Sequence, residues 1–184
     1  MALKDKLRGK HGKNWASQVD LFDPSSSRLL TIEGNSLTED MSKAIDTSEE
    51  ILQIWIYKCP LSKWQLTKLL LNHQFVVFET ESWWWSIEKD DKRILIQRNK
   101  FPVKVKDFVN GKPRKVLVTQ MSYDRGRKTI KDLIDFLYDE DELNINYDLL
   151  VNNCKDFAKR IFDEFAETKR YYKIRGSNCK VNIN

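Results

Sequence analysis

The chain has 184 residues, of which 41% are hydrophobic and 32% are charged, with only six glycines and four prolines. This composition is typical of a globular domain with a sizeable core, and it excludes a collagen-like, low-complexity or wholly disordered protein. No apolar run approaches the roughly 20 residues of a membrane-spanning helix. The basic N-terminus is followed by no apolar stretch of the kind that a secretory signal requires, so we expect neither a transmembrane segment nor secretion.

The charge balance argues against a nucleic-acid partner. The chain carries 32 basic and 27 acidic residues, a net charge of +5. The excess is concentrated in the N-terminal segment and in residues 112–115 and 125–128. Such short clusters are most often solvated surface, and no aromatic residues alternate with them to stack on bases. We therefore expect no nucleic acid to bind.

The cysteines and histidines argue against a metal site. Cys59, Cys154 and Cys179 are an odd number without paired spacing, and the chain has only two histidines. With no secretory signal, this favours reduced thiols in the cytoplasm. Neither a structural zinc site nor a cofactor is expected.

The first 48 residues look like an extension of a separate domain. They are rich in Lys, Ser, Asp and Asn, with turn signals at residues 23–27 and 34–35. We predict a partly disordered extension over residues 1–48, with one short strand at 28–33 and poor packing of residues 1–25. Apolar residues become dense from Glu49. The main domain is therefore placed at residues 49–184, ending in a polar, frayed tail from residue 169.

The main domain mixes strand and helix patterns. Runs rich in β-branched and aromatic residues predict strands at 51–58, 73–80, 83–89, 93–98 and 115–121, with a turn at 110–113. Apolar residues at helical spacing predict helices at 62–72, 129–139 and 153–167. The whole pattern predicts an α+β fold in which helices pack on an antiparallel sheet.

Cys154 is the candidate nucleophile. It lies in the first turn of the helix predicted for residues 153–167, where free backbone N–H groups and the helix dipole stabilise a thiolate. It also continues the apolar stripe of that helix, so a small buried core residue is the alternative. The choice depends on whether a base lies nearby.

His73 is the candidate base. It begins an apolar strand and is the only histidine outside the N-terminal extension. A structural role beside the core is the alternative, but a helix-start cysteine and a strand-start histidine are the pair that papain-like catalysis uses. If the hairpin turn is centred on residues 80–81, Glu88 faces His73 on the same side of the sheet. We therefore predict that Glu88 orients the imidazole, with Ser86, Gln97 and Gln120 as weaker alternatives.

The segment YDLLVNNCKDFA, residues 147–158, resembles the nucleophile motif of circularly permuted papain-fold cysteine enzymes. These are the lecithin:retinol acyltransferase-like proteins, the PPPDE isopeptidases and the NlpC-type hydrolases. Their motif is an aromatic strand residue, then Asn-Cys, two variable residues and Phe, and their histidine strand precedes the cysteine helix. The resemblance covers about residues 50–167 and implies a permuted papain-like domain with Cys154 as nucleophile and His73 as base. Where acyltransferase members typically carry a second histidine, Glu88 takes the third position here.

Three successive tryptophans, residues 83–85, lie in the second strand of the predicted hairpin. They cannot all face one core, because alternate side chains of a strand point to opposite faces. Either the sheet is buried on both sides or an aromatic wall lines the catalytic groove. On the second interpretation, Trp83 and Trp85 contact substrate together with Asn153.

The sequence thus favours a cytoplasmic cysteine-dependent hydrolase or acyltransferase, a class that includes thiol proteases. Cys154 attacks an amide or ester carbonyl, His73 moves the proton, Glu88 orients His73, and backbone N–H groups at the helix start stabilise the oxyanion. A peptide, an isopeptide and a lipid ester all remain open as substrate, and so does peripheral membrane contact. The alternative is a catalytically inactive protein-interaction module with the same fold.

Overall fold

The computed structural model describes residues 15–25, 28–60, 72–148 and 152–168. The strands of the main sheet are β1 (Gln18–Asp23), β2 (Arg28–Glu33), β3 (Gln53–Pro60), β4 (Asn72–Glu79), β5 (Trp84–Lys89), β6 (Ile94–Asn99) and β9 (Thr119–Arg125). A separate hairpin consists of β7 (Phe108–Val109) and β8 (Lys112–Pro113). The helices are α1 (Leu37–Ala44), α2 (Pro102–Lys106), α3 (Ile130–Asp139) and α4 (Cys154–Phe165), and a 3-10 turn, Gly34–Ser36, precedes α1.

The seven-stranded sheet has the order β2-β1-β6-β5-β4-β3-β9. Every neighbouring pair is antiparallel except β1 and β6, which run parallel. The predicted class, a mixed α and β fold with a mostly antiparallel sheet, is therefore confirmed. Within the described ranges, none of the helices combines the length and the apolar character needed to cross a membrane.

The two faces of the sheet are covered differently. One face carries the main core, which α1, α3 and α4 complete with fully buried side chains such as Phe157, Phe162 and Phe165. These residues recur at helical spacing and form the predicted stripe of α4. The other face carries a smaller apolar cluster that includes Phe75, Val77 and Val105 of α2.

The β7–β8 hairpin is built by a two-residue turn. Asn110 and Gly111 have positive φ angles of 48° and 73°. Such values at both central residues match the right-handed twist of a tight hairpin, and Asn-Gly is the sequence that adopts them most readily. The turn predicted at residues 110–113 is confirmed at Asn110 and Gly111, whereas Lys112 and Pro113 form β8.

The predicted division at residue 48 does not hold for the described residues before it. β1 and β2 form one end of the sheet, with Val19 and Leu21 buried, and α1 adds Leu37 and Met41 to the main core. The alternation of polar and apolar residues in β1 is only six residues long, so its signal is lost among polar neighbours. The strand predicted at residues 28–33 is confirmed, and residues 1–14 lie outside the described residues.

Other predicted elements differ in detail. The last strand begins at Thr119 rather than at residue 115, and α2 was not predicted, because five residues are too few for a helical pattern. Residues 61–71, which hold most of the helix predicted at 62–72, lie outside the described residues, as does the tail from residue 169.

Candidate active site

The start of α4 fixes the position of Cys154. Asn153 is the N-cap, and its side-chain oxygen accepts the backbone N–H of Lys155 at 2.8 Å. Asp156 in turn accepts the backbone N–H of Asn153 at 3.1 Å, which completes a capping box. This reciprocal cap places Cys154 in the first turn, as predicted, with 3% of its surface exposed.

The surroundings of Cys154 favour its thiolate. As a thiol it points at the carbonyl oxygen of Asn72, 3.8 Å from the sulfur. Burial by itself raises the pKa of Cys154. Three neighbours oppose the effect of burial: His73, through a hydrogen bond and its positive charge, the backbone N–H of Gln74, and the hydroxyl of Tyr147. Together they lower the pKa of Cys154 below its ordinary value.

His73 lies between Cys154 and Glu88. Its Nε2 is 2.6 Å from Oε2 of Glu88. An ionised carboxylate only accepts hydrogen bonds, so Nε2 carries a proton and Nδ1 is the ring nitrogen left for Cys154. Burial lowers the pKa of His73, but the hydrogen bonds to Cys154 and Glu88 and the negative charges of both groups raise it to about 9.

Glu88 reaches His73 through a register other than the predicted one. Val76 pairs with Ile87, which places the centre of the turn at residues 81–82 and shifts the pairing by two residues from the prediction. His73 and Glu88 are therefore diagonal rather than direct neighbours. A shift by two residues leaves every side chain on the same face, whereas a shift by one would have moved Glu88 to the other face. The structure therefore brings Cys154, His73 and Glu88 together despite the register error.

Arg114 was missed by the sequence analysis. Its guanidinium holds both carboxylate oxygens of Glu88, with 3.1 Å from Nη1 to Oε2 and 2.7 Å from Nη2 to Oε1. Although burial favours the neutral carboxyl, the charge of Arg114 and the hydrogen bond to His73 lower the pKa of Glu88 to about 2. The assignment of residues 112–115 to solvated surface holds for Lys112 and Lys115, but the Arg114 side chain is 7% exposed. A carboxylate buried in an apolar strand requires a cationic partner. This requirement was the signal in the sequence that could have indicated a buried arginine beside Glu88.

A groove of about 480 Å³ opens beside these charges. His73, Glu88 and Arg114 line it, and its walls include Cys59, Val109, Pro113 and Val116. Among the described residues, His73 is part of the lining and Cys154 is not. A larger cavity, of about 800 Å³, lies between the start of β1 and the end of α3 and contains none of the predicted site residues.

The tryptophans predicted to contact substrate lie away from this groove. Trp85 is 1% exposed in the main core, and its indole N–H donates to Thr80 at 3.2 Å. Trp83 packs against the same core, with the ammonium of Lys100 3.7 Å from its ring centre. Trp84 instead faces the side of the sheet that carries Phe75 and packs against Trp55, with 5.3 Å between the ring centres and 32° between the ring planes. Alternation along β5 thus assigns the middle tryptophan, not the outer two, to the functional face.

A second group of buried charges supports the segment before α4. Lys89 is fully buried on the helical face, and its ammonium donates to the carbonyls of Glu142 and Ile145, both at 2.9 Å. The Glu142 carboxylate lies 3.4 Å from that ammonium and is also bound by Arg160. This cluster holds the segment that carries Tyr147 against the sheet.

No grouping of three or more His, Cys, Asp or Glu side chains with the geometry to hold a metal ion is found in the described parts of the chain. The comparisons with known proteins add no further constraint, because no family model, no curated protein and no solved structure matches this chain. The site is therefore interpreted from its own geometry, which is a buried row of thiol, imidazole, carboxylate and guanidinium.

Proposed function

We propose that this protein is a cysteine-dependent hydrolase or acyltransferase with a permuted papain-like domain, in which Cys154 forms a covalent acyl intermediate. The observation that carries the proposal is the single row in which Cys154 contacts His73 and His73 contacts Glu88. A nucleophile and a base within hydrogen-bonding reach are the groups that acyl transfer requires, and a third group that orients the base completes a triad.

The first half of the reaction forms the acyl-enzyme. The Cys154 thiolate attacks the carbonyl carbon of an amide or ester, and the carbonyl oxygen becomes negatively charged. The Asn153 cap accepts the N–H of Lys155, and the Tyr147 hydroxyl oxygen accepts the backbone N–H of Cys154. The oxyanion binds the Cys154 N–H by taking the place of that hydroxyl oxygen. The His73 imidazolium then gives its Nδ1 proton to the leaving amine or alcohol as the tetrahedral intermediate collapses.

The second half regenerates the thiolate. Neutral His73 takes a proton from water, or from an acceptor alcohol or amine, which attacks the thioester carbon. The C–S bond breaks and the sulfur leaves as thiolate beside the re-formed imidazolium. Glu88 holds Nε2 of the ring throughout, so that Nδ1 always faces the sulfur.

Two features support a permuted papain-like arrangement. The histidine strand, β4, precedes the cysteine helix, α4, along the chain, and α4 packs against β4 and β5. The Asn-Cys-x-x-Phe motif occupies the cap and first turn of that helix, with Phe157 fully buried.

The direct test is formation of an acyl adduct. We would treat the full-length protein with a short activated ester and locate the adduct by peptide mass spectrometry. The adduct is expected on Cys154, unaffected in the control variant Cys179→Ala and lost in Cys154→Ala and His73→Gln. Equal acylation of Cys59 and Cys154, or an unchanged yield in His73→Gln, would contradict the proposal.

A catalytically inactive interaction module is the second candidate, and the burial of the nucleophile favours it. Cys154 is 3% exposed, and the groove is lined by His73 rather than by the thiol. A module of this kind would leave Cys154 unacylated in the folded protein while the same reagent modified it after unfolding in urea. Acylation of the folded protein therefore separates the two candidates.

A further inference from the structure

Arg114, which directly follows the β7–β8 hairpin, is held by several hydrogen bonds and by a contact with an aromatic ring. Nε donates to the carbonyl of Lys106 at 3.0 Å, and the two terminal nitrogens hold Glu88. Its backbone N–H donates to the carbonyl of Asp107 at 2.8 Å. The guanidinium also lies over Phe75, 4.1 Å from the ring centre, and the same ring stacks with His73.

The charges alternate along the row from Arg114 to Cys154. The Arg114 guanidinium pairs with the Glu88 carboxylate, and that carboxylate pairs with His73. The raised pKa of His73 and the lowered pKa of Cys154 favour an imidazolium and a thiolate, and in that state two positive and two negative charges cancel. A buried row of this kind is tolerable only when each charge has an opposite neighbour. Without Arg114 the row would carry a net negative charge.

Three further ionisable groups face this part of the site. Cys59 hydrogen-bonds to Arg114, and burial raises its pKa. Asp90 lies beyond Glu88 on the groove, and burial together with neighbouring carboxylates raises its pKa. Lys112 is exposed at the rim of the groove. None of the three replaces the two-point contact between Arg114 and Glu88.

We propose that Arg114 is the charge-balancing and positioning residue of the Cys154–His73–Glu88 site. It fixes both oxygens of Glu88, and through that carboxylate it fixes the ring of His73. This inference deepens the proposed function and rests on it for its catalytic meaning, but its effect on His73 can be measured without turnover.

The pKa of His73 should change in opposite directions if Arg114 balances charge and if it only maintains the structure of the site. Removing a nearby positive charge makes every acidic group of the row hold its proton more tightly, so the pKa values of Cys154 and His73 both rise. Loss of the contact between the thiol and the imidazole would instead raise the pKa of Cys154 and lower that of His73. The direction in which His73 moves therefore separates the two roles.

The test compares three variants of the full-length protein. Arg114→Met keeps the aliphatic stem and removes the charge, Arg114→Lys keeps the charge and loses the fork, and Lys115→Met is the control in the same loop. The His73 ring is titrated by NMR, and the pH dependence of Cys154 alkylation is followed by peptide mass spectrometry. His11 is the only other histidine of the chain, which makes assignment of the ring signals direct.

We expect both titrations to move upward by about one pH unit in Arg114→Met, and to stay close to wild type in Arg114→Lys and Lys115→Met. A folded Arg114→Met protein in which His73 titrates at or below its wild-type pH would overturn the inference. If Arg114→Met does not fold, Arg114→Lys decides: opposite shifts of the two groups in that variant would overturn charge balance.

The two proposals can fail separately. If Cys154 in the wild-type protein takes up no acyl group, the proposed function fails, while the titration of His73 still reports on Arg114. If Cys154 is acylated as expected but Arg114→Met leaves both titrations in place, the role of Arg114 fails and the proposed function stands.

Discussion

Glu88 and Lys89 are adjacent in β5, point to opposite faces of the sheet, and are both buried, at 5% and 0% exposure. Each is the centre of an ionic cluster. Glu88 meets Arg114 and His73 on the side of the hairpin, and Lys89 meets Glu142 on the side of the helices. The comparison separates two reasons for burying a charge.

The difference lies in what the partners can do. Lys89 donates to two backbone carbonyls, which have no proton to exchange, and its carboxylate partner Glu142 is also bound by Arg160. The Glu88 cluster ends instead in an imidazole and a thiol, which can pass a proton between them. Burial and ion pairing alone therefore do not mark a catalytic site. A thiol and an imidazole at the end of the row make the Glu88 cluster the candidate site of the two.

The two clusters nevertheless support the same site. Lys89 and Glu142 fix the segment that carries Tyr147, and the Tyr147 hydroxyl bonds to Cys154. In this account the Lys89 cluster supplies the scaffold and the Glu88 cluster supplies the chemistry.

The largest expected effect is a difference in turnover rate between variants of the two clusters. Glu88→Gln should slow acyl transfer by up to about four orders of magnitude, because the imidazole loses the carboxylate that fixes its tautomer and orientation. Lys89→Met, which removes a charge one residue away, should slow it by less than about tenfold. Equal losses of rate in the two variants, measured on one activated ester, would remove the distinction.

The same substitution, Glu88→Gln, should also lower the stability of the fold. Glu88→Gln leaves the buried Arg114 guanidinium without its carboxylate, which should cost about 3–5 kcal/mol of unfolding free energy. The double variant Glu88→Gln/Arg114→Met removes both charges and should recover most of that stability without recovering the rate. Urea unfolding measures the first quantity and ester turnover the second. A double variant no more stable than Glu88→Gln would show that the cost does not come from the unpaired guanidinium.

Because of Lys89, the free energy of unfolding should increase with pH in the alkaline range. Burial lowers the pKa of Lys89 to about 8, despite the opposing charge of Glu142, from an ordinary value of 10.5. Between these values the unfolded chain binds more protons than the folded one, so the free energy of unfolding increases with pH. The difference in stability between wild type and Lys89→Met should therefore grow in favour of wild type across this window. Urea unfolding of both proteins at its two ends gives the sign, and a difference that shrinks would contradict it.

The smallest expected effect concerns Tyr147. Tyr147→Phe removes the hydroxyl that stabilises the Cys154 thiolate and leaves the ring in place. The apparent pKa of the thiol should rise, with a loss of about tenfold or less in alkylation rate below that pKa. Tyr138→Phe, at an exposed tyrosine of α3, is the matched control and should change nothing. A rate unchanged by Tyr147→Phe across the whole pH range would place the hydroxyl outside the site.

Most of the site could be predicted from the sequence because its signals are local. The cap at Asn153 fixes Cys154 at a helix start, and the position of His73 at the beginning of β4 follows from the apolar run after it. Glu88 depended on the hairpin register, and the prediction survived only because the error was an even number of residues.

The rest depended on contacts distant in sequence. Arg114 reaches Glu88 across 26 positions and Lys89 reaches Glu142 across 53, and neither pairing leaves a periodic pattern. The packing of β1 against β6 is equally non-local, which is why the N-terminal strands looked like an extension. Alternation along the strand predicts that Trp83 and Trp85 share one face of the sheet. It does not predict which of the two faces carries the site.

From the directions of both pKa values, we expect Cys154 and His73 to rest as a thiolate and an imidazolium at neutral pH. The most direct measurement is the ultraviolet absorbance of the thiolate as a function of pH, taken as the difference between wild type and Cys154→Ala. We expect thiolate absorbance to be present already at neutral pH and to be lost in His73→Gln. Absorbance that appears only near the ordinary thiol pKa of about 8.5, with the same profile in His73→Gln, would contradict it.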